Sequence, residues 1–121
     1  MAALHEIDKA IGAHTVLKLR LKTAIDSGRV DEPITGVHAD GCAFGKWLHG
    51  PTIAPATRGS AHYARVTELH SRFHERAARV VELAASGATE EAVEEITGAG
   101  EFSKAHRELA AAMNDWKSAL K

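Results

Sequence analysis

A chain of 121 residues with 45% hydrophobic and 26% charged side chains has the makeup of one soluble globular domain, expected to span residues 1–121 and to bury a core without disulfides. Its 15 basic and 16 acidic side chains nearly cancel, which together with the absence of a basic, aromatic-interleaved stripe argues against a nucleic-acid surface, and no apolar run is long enough for a membrane span. The first residues, Met1 to Lys9, carry charge early and lack the apolar centre of a signal peptide, and one cysteine forms no internal disulfide, so a reducing cytoplasmic setting is expected.

In chain order, Leu4, Ile7, Ile11, His14, Leu21 and Ile25 recur at three- and four-residue spacing and predict a helix from about Leu4 to Ser27, with Leu17 beside the stripe and Gly28 as its stop. His14 stands on that stripe where a leucine would be expected. A lone histidine there is ordinarily a core residue hydrogen-bonded to a neighbour, since an unpaired buried polar group costs about 1–3 kcal/mol. Residues 29–40, with Pro33 and Gly36, read as a loop in which His38 is solvated. Asp40 to Leu48 reads as one or two helical turns with Asp40 as N-cap, Cys42 in the first turn, and Phe44, Trp47 and Leu48 on one face. Taken alone, Cys42 is an ordinary small buried residue.

Residues 49–55, with Gly50, Pro51 and Pro55, break that helix and leave His49 exposed. A second long helix is expected from about Thr57 to Ser86, ended by Gly87. Its stripe is Tyr63, Val66, His70, Phe73, Ala77, Val80 or Val81, and Ala84, with His62 just before it and expected to be exposed. His70 lies on the stripe and His74 one turn further on, and side chains four apart project from the same face. Thr89 opens the last helical region, with Glu90 and Glu91 suited to its first turn. Gly98-Ala99-Gly100 interrupts it as a kink or a short loop. Phe102, His106, Leu109, Met113, Trp116 and Leu120 carry a stripe to the end, with His106 as a boundary histidine. The pairs Glu90-Glu91 and Glu94-Glu95 read as a solvated face.

His14, His70 and His74 thus place three imidazoles toward a core from two helices, and Cys42 adds a thiolate from a short third one. Three nitrogens and one sulfur form a closed four-ligand set suited to zinc, with no position left for the water that hydrolytic catalysis needs. The chain is therefore expected to be all-α, with its helices arranged around this site, and to bind Zn2+ rather than to act as an enzyme. No nucleophile–base pair and no phosphate loop is present.

Three segments resemble one family. The stretch from His14 to Leu21 is similar to a His-x2-Trp-Lys-x2-Leu opening, Cys42-Ala43-Phe44-Gly45-Lys46-Trp47 to a Cys-x-Leu/Phe-Gly-x-Trp segment, and His70 to Ala77 to a His-x2-Phe-His-x2-Ala segment. In that order and spacing they resemble the chemoreceptor zinc-binding domain, CZB, over nearly the whole chain from His14 to Trp116. Leu17 departs from the usual tryptophan, which alters packing and not ligation, and His106 stands where a small polar residue is common.

The resemblance implies a four-helix bundle with a short additional helix, here the one carrying Cys42, that holds zinc through three histidines and one cysteine and often pairs as a homodimer. Such domains sit at the ends of cytosolic chemoreceptors or beside diguanylate cyclases, and report zinc or oxidants such as hypochlorous acid. The 121 residues contain neither a methyl-accepting hairpin nor a cyclase, so a free-standing protein or an excised domain is expected. The function expected is a sensory module in which Cys42 lets go of the metal, and its alternative a purely structural zinc bundle used for dimerisation or interaction. A hemerythrin-like oxygen carrier would need inward carboxylates, and none lies on a stripe.

Overall fold

The computed structural model describes residues 2–27, 42–51 and 53–120, and helices are the regular elements found among them. They are α1 (Ala2–Ser27), α2 (Ala43–Leu48), α3 (Pro55–Arg58), α4 (Ala61–Ala85), α5 (Thr89–Ile96) and α6 (Glu101–Ala119). Gly28, the loop with His38, and Asp40 lie outside the described residues.

In α1, Ile7, Ala10, His14, Leu17, Leu21 and Ile25 are all buried. Their steps of three and four keep one face toward the core. Leu17 therefore belongs to the stripe rather than beside it, while Leu4 and Ile11 are only half-buried at its margins. In α4 the buried face runs through Val66, Leu69, His70, Phe73, His74, Ala77, Val80 and Leu83. In α6 it runs through Phe102, Ala105, Leu109, Ala112, Met113 and Trp116. The α4–α6 pair is the most extensive helix contact, and α1 packs across α4, α5 and α6, with α2 resting on α1.

The second long helix differs from expectation at its start. Residues 55–58 form the separate turn α3, and the chain re-enters at Ser60, whose hydroxyl accepts a hydrogen bond from the Tyr63 N–H at 3.2 Å. That side-chain cap satisfies one of the free amides of the first turn and fixes the start of α4 at Ala61. At the other end Gly87 adopts φ +83°, the Ala88 N–H reaches the Leu83 carbonyl at 2.9 Å and the Gly87 N–H reaches Ala84 at 3.3 Å. This is a Schellman closure at the glycine expected to stop the helix.

The interruption before α6 is a short loop, residues 97–100, and not a kink. Thr97 is extended, and Gly100 lies so close to α5 that a Cβ there would run into the Glu94 and Glu95 carbonyl oxygens. Beside this junction Arg76 of α4 pairs with Glu95 of α5 at 2.6 Å. Glu95 is 13% exposed, so it does not belong to the solvated face, whereas Glu90, Glu91 and Glu94 do.

Gly100→Ala is expected to destabilise the fold by about 2–4 kcal/mol, because backbone rather than a flexible side chain must move. A denaturant melt of the variant beside Gly12→Ala, a position with open space around it, checks this.

Candidate metal centre

The stripes of α1 and α4 bring three imidazoles to one point inside the core. His14 comes from the middle of α1, and His70 and His74 from successive turns of α4. Cys42 arrives from the residue immediately before α2. It occupies the N-cap position with extended backbone, φ −90° and ψ 128°, rather than a place within the first turn, and no side chain caps that end. Its carbonyl accepts the Lys46 N–H at 3.0 Å, so the turn that starts α2 also sets the direction of the thiol. Burial is nearly complete: 3% exposure for His14, 8% for Cys42, 2% for His70 and 3% for His74.

Sγ of Cys42 lies 3.6 Å from Nε2 of His14 and 3.6 Å from Nε2 of His70, and Nε2 of His70 lies 3.1 Å from Nε2 of His74. One ligand atom from each of the four falls within 4.8 Å of the other three. Zn–N bonds near 2.0–2.1 Å and a Zn–S bond near 2.3 Å require tetrahedral edges of about 3.3 Å between nitrogens and about 3.5 Å between nitrogen and sulfur. The donor set and its spacing fit an ion of that kind. Aromatic rings seal the group: Phe73 stands 4.8 Å from the His14 ring and Phe44 5.2 Å from the His70 ring. Nδ1 of His14 is buried without a hydrogen-bond partner among the described residues, whereas its Nε2 faces Cys42 Sγ.

Electrostatics agree with the geometry. His14 is lowered from 6.5 to about 3, first by burial and then by the nearby His74 and His106. His70 is lowered to about 2, first by burial and then by His74, His14 and His49. Both therefore stay neutral near pH 7, which is the form that donates a lone pair to a metal.

His106 does not join this group. It is half-buried, stacked on Phe102 at 6.2 Å and tilted against Phe73 at 5.5 Å, and burial and Lys18 lower its proton affinity. His49 is exposed as expected, and His62 is half-buried. The residues that sequence reasoning missed hold the far end of α2. The Tyr63 hydroxyl donates to the Leu48 carbonyl at 2.6 Å, Arg58 donates to the Gly50 carbonyl, and Trp116 packs on Trp47 with centroids 5.9 Å apart. A tyrosine three residues past a serine cap was the available sign that its hydroxyl would overhang the preceding loop.

Three histidines and a cysteine closed inside a helical core form a donor set that could hold a metal ion. The chain belongs to the chemoreceptor zinc-binding domain (CZB) family, whose family model matches residues 14–81. That span takes in His14, Cys42, His70 and His74 and ends short of Trp116, the limit expected from the sequence. No curated protein and no solved structure matched the chain. No helix among the described residues is long and apolar enough to cross a membrane.

The depressed histidines give the metal-free protein a definite pH response. Unfolded chains take up these protons below about 6.5, whereas the folded chain refuses them until about 3, so stability is full above pH 6.5 and is lost as pH falls toward 3. Chelator-treated protein is expected to lose on the order of 2 kcal/mol per histidine between pH 6.5 and pH 5, measured by urea melts; a flat profile would contradict the neutral, buried assignment.

Proposed function

We propose that this protein is a zinc-binding sensory or regulatory domain whose metal is held by His14, Cys42, His70 and His74. The observation that carries the reading is the meeting of these four buried donors from α1, the start of α2 and α4. In this reading α1, α4, α5 and α6 act as the four-helix bundle and α2 as its short additional helix. Zinc, when bound, supplies a redox-inert divalent charge that stabilises the Cys42 thiolate.

The ligands differ in how they are held. His14, His70 and His74 ride on helices of 26 and 25 residues, whereas Cys42 stands on a six-residue helix. Short helices have little stability of their own and depend on packing. Cys42 is therefore the donor whose release costs the scaffold least. Two signals reach it. Scarce zinc leaves the group unfilled. Alternatively an oxidant attacks sulfur: the Cys42 thiolate loses two electrons to hypochlorous acid, the oxygen passes to sulfur, chloride leaves, and the resulting sulfenate is a poorer metal donor. Either event frees α2 at its Cys42 end while Tyr63 and Trp116 keep hold of its other end. The output would pass to a chemoreceptor or a diguanylate cyclase, with a homodimer as the working unit, in keeping with the family.

Native mass spectrometry is expected to find one zinc per chain. His14→Gln, Cys42→Ser, His70→Gln and His74→Gln should each lower zinc affinity beyond the roughly 100-fold loss typical of removing an outer-shell partner. Unaltered tight binding in all four, with helical content intact by circular dichroism, would remove the site.

Sensing and a purely structural role part company on zinc removal. In a sensor, hydrogen exchange should quicken at residues 43–48 while α4 and α6 stay protected; in a structural site every helix should open together. Stoichiometric hypochlorous acid should add oxygen to Cys42 before Met113, and methionine oxidation first would count against oxidant sensing.

A further inference from the structure

Two cavities outside the metal centre bear on what else the molecule binds. One lies among α4, α5 and the α5–α6 loop, with Arg76 and Arg79 facing several glutamates. Both of its arginines are already paired, Arg76 with Glu95 and Arg79 with Glu82, and Glu91, Glu94 and Glu101 leave its walls with an excess of carboxylates. The other, of about 330 Å³, lies between the C-terminal half of α1 and the α5–α6 junction. Its charges are unmatched and its walls are mainly apolar.

We propose that this second cavity is a binding site for an amphipathic monoanion, a free medium-chain aliphatic carboxylate, with the tail in the apolar trough and the headgroup between Lys18 and Lys22. Three large hydrophobic side chains are exposed among the described residues, namely Val16, Leu19 and Val93. Leu19, 57% exposed on α1, and Val93, 39% exposed on α5, both wall this cavity, over a floor that includes the buried Ile25 and Ile96. Its size is at the lower end of that found for small-molecule sites, and its apolar lining with few polar groups is what such sites share.

Lys18 and Lys22 lie four residues apart on α1 and share its face, and neither makes an ion pair among the described residues. Asp26, one turn beyond Lys22, also lines the cavity. Two ammonium groups against one carboxylate leave a local charge of about +1, which suits a monoanion and places its headgroup at the Lys18 end, away from Asp26. A cationic amphiphile would meet two lysines, and a neutral alcohol would leave both ammoniums without a counter-charge. The site shares no residue with the metal centre, so it stands or falls separately from zinc binding.

Calorimetry with hexanoate, octanoate and decanoate, below their micelle concentrations, tests this on zinc-loaded and on chelated protein. Each buried methylene is worth about fourfold, so affinity should rise about fifteenfold for every two carbons until the trough is filled. Amide shifts in NMR spectra should centre on Leu19, Val93 and Gly98. Lys18→Met with Lys22→Met, which keeps the stems, should weaken octanoate at least tenfold and leave decanol unchanged. Leu19→Ser with Val93→Ser should flatten the chain-length series.

Absence of saturable binding, equal binding of decyltrimethylammonium, or shifts centred on another face would overturn the proposal. So would concentration-dependent self-association that buries Leu19 and Val93, which would make a second copy of the chain the occupant.

Discussion

Four polar side chains brought together inside an apolar core are the constraint on which this structure turns. Burial of an imidazole or a thiol without a partner costs about 1–3 kcal/mol, and Nε2 and Sγ atoms of these four meet one another at 3.1 and 3.6 Å. Among the described residues Nδ1 of His14 has no hydrogen-bond partner. A cation at their centre would engage all four at once. The phenylalanines around them, Phe44 and Phe73, line the group with apolar rings, where a polar atom left unpaired is costly.

The helices divide the work of holding this group. α1 and α4 are long and amphipathic, and each presents its donors at positions that a leucine could otherwise fill. α2 is too short to hold itself and is fastened at two ends of different character. At one end the Cys42 thiol meets histidine nitrogens. At the other, Leu48 is wholly buried and its carbonyl is bonded to Tyr63. The first attachment depends on the chemical state of sulfur, whereas the second is ordinary packing and hydrogen bonding.

Most of the helices could be read from the chain because their apolar spacing is regular, and the site because His14 and His70 interrupt that spacing with a polar group. What escaped reading depended on tertiary contact or on competing local signals. Leu17 was placed off the α1 stripe because Val16 and Leu19, both exposed, blur the edge of the apolar face. The split between α3 and α4 turned on Ser60, whose capping bond was outweighed in the sequence by an apparently continuous helix.

Asp40 has the side chain that capping preference favours, yet α2 begins after Cys42, which makes no side-chain capping bond. Glu94 and Glu95 are alike in sequence, but a rotation of about 100° per helical residue turns only the second toward Arg76, nineteen positions earlier. No local pattern announces such a partner. The loop between α5 and α6 was open to two readings because its geometry depends on Gly100 touching the carbonyls of α5.

The stacking of Trp47 on Trp116 has a consequence for how the molecule can be observed. The chain contains two tryptophans, and these are the two. One sits on the short helix that follows Cys42, the other near the end of α6, and their ring centroids lie 5.9 Å apart, with Tyr63 edge-on to Trp116. Ultraviolet emission from this protein thus arises entirely at the seam between its least self-sufficient helix and its main scaffold. The polypeptide carries its own optical gauge of that seam, with no label needed.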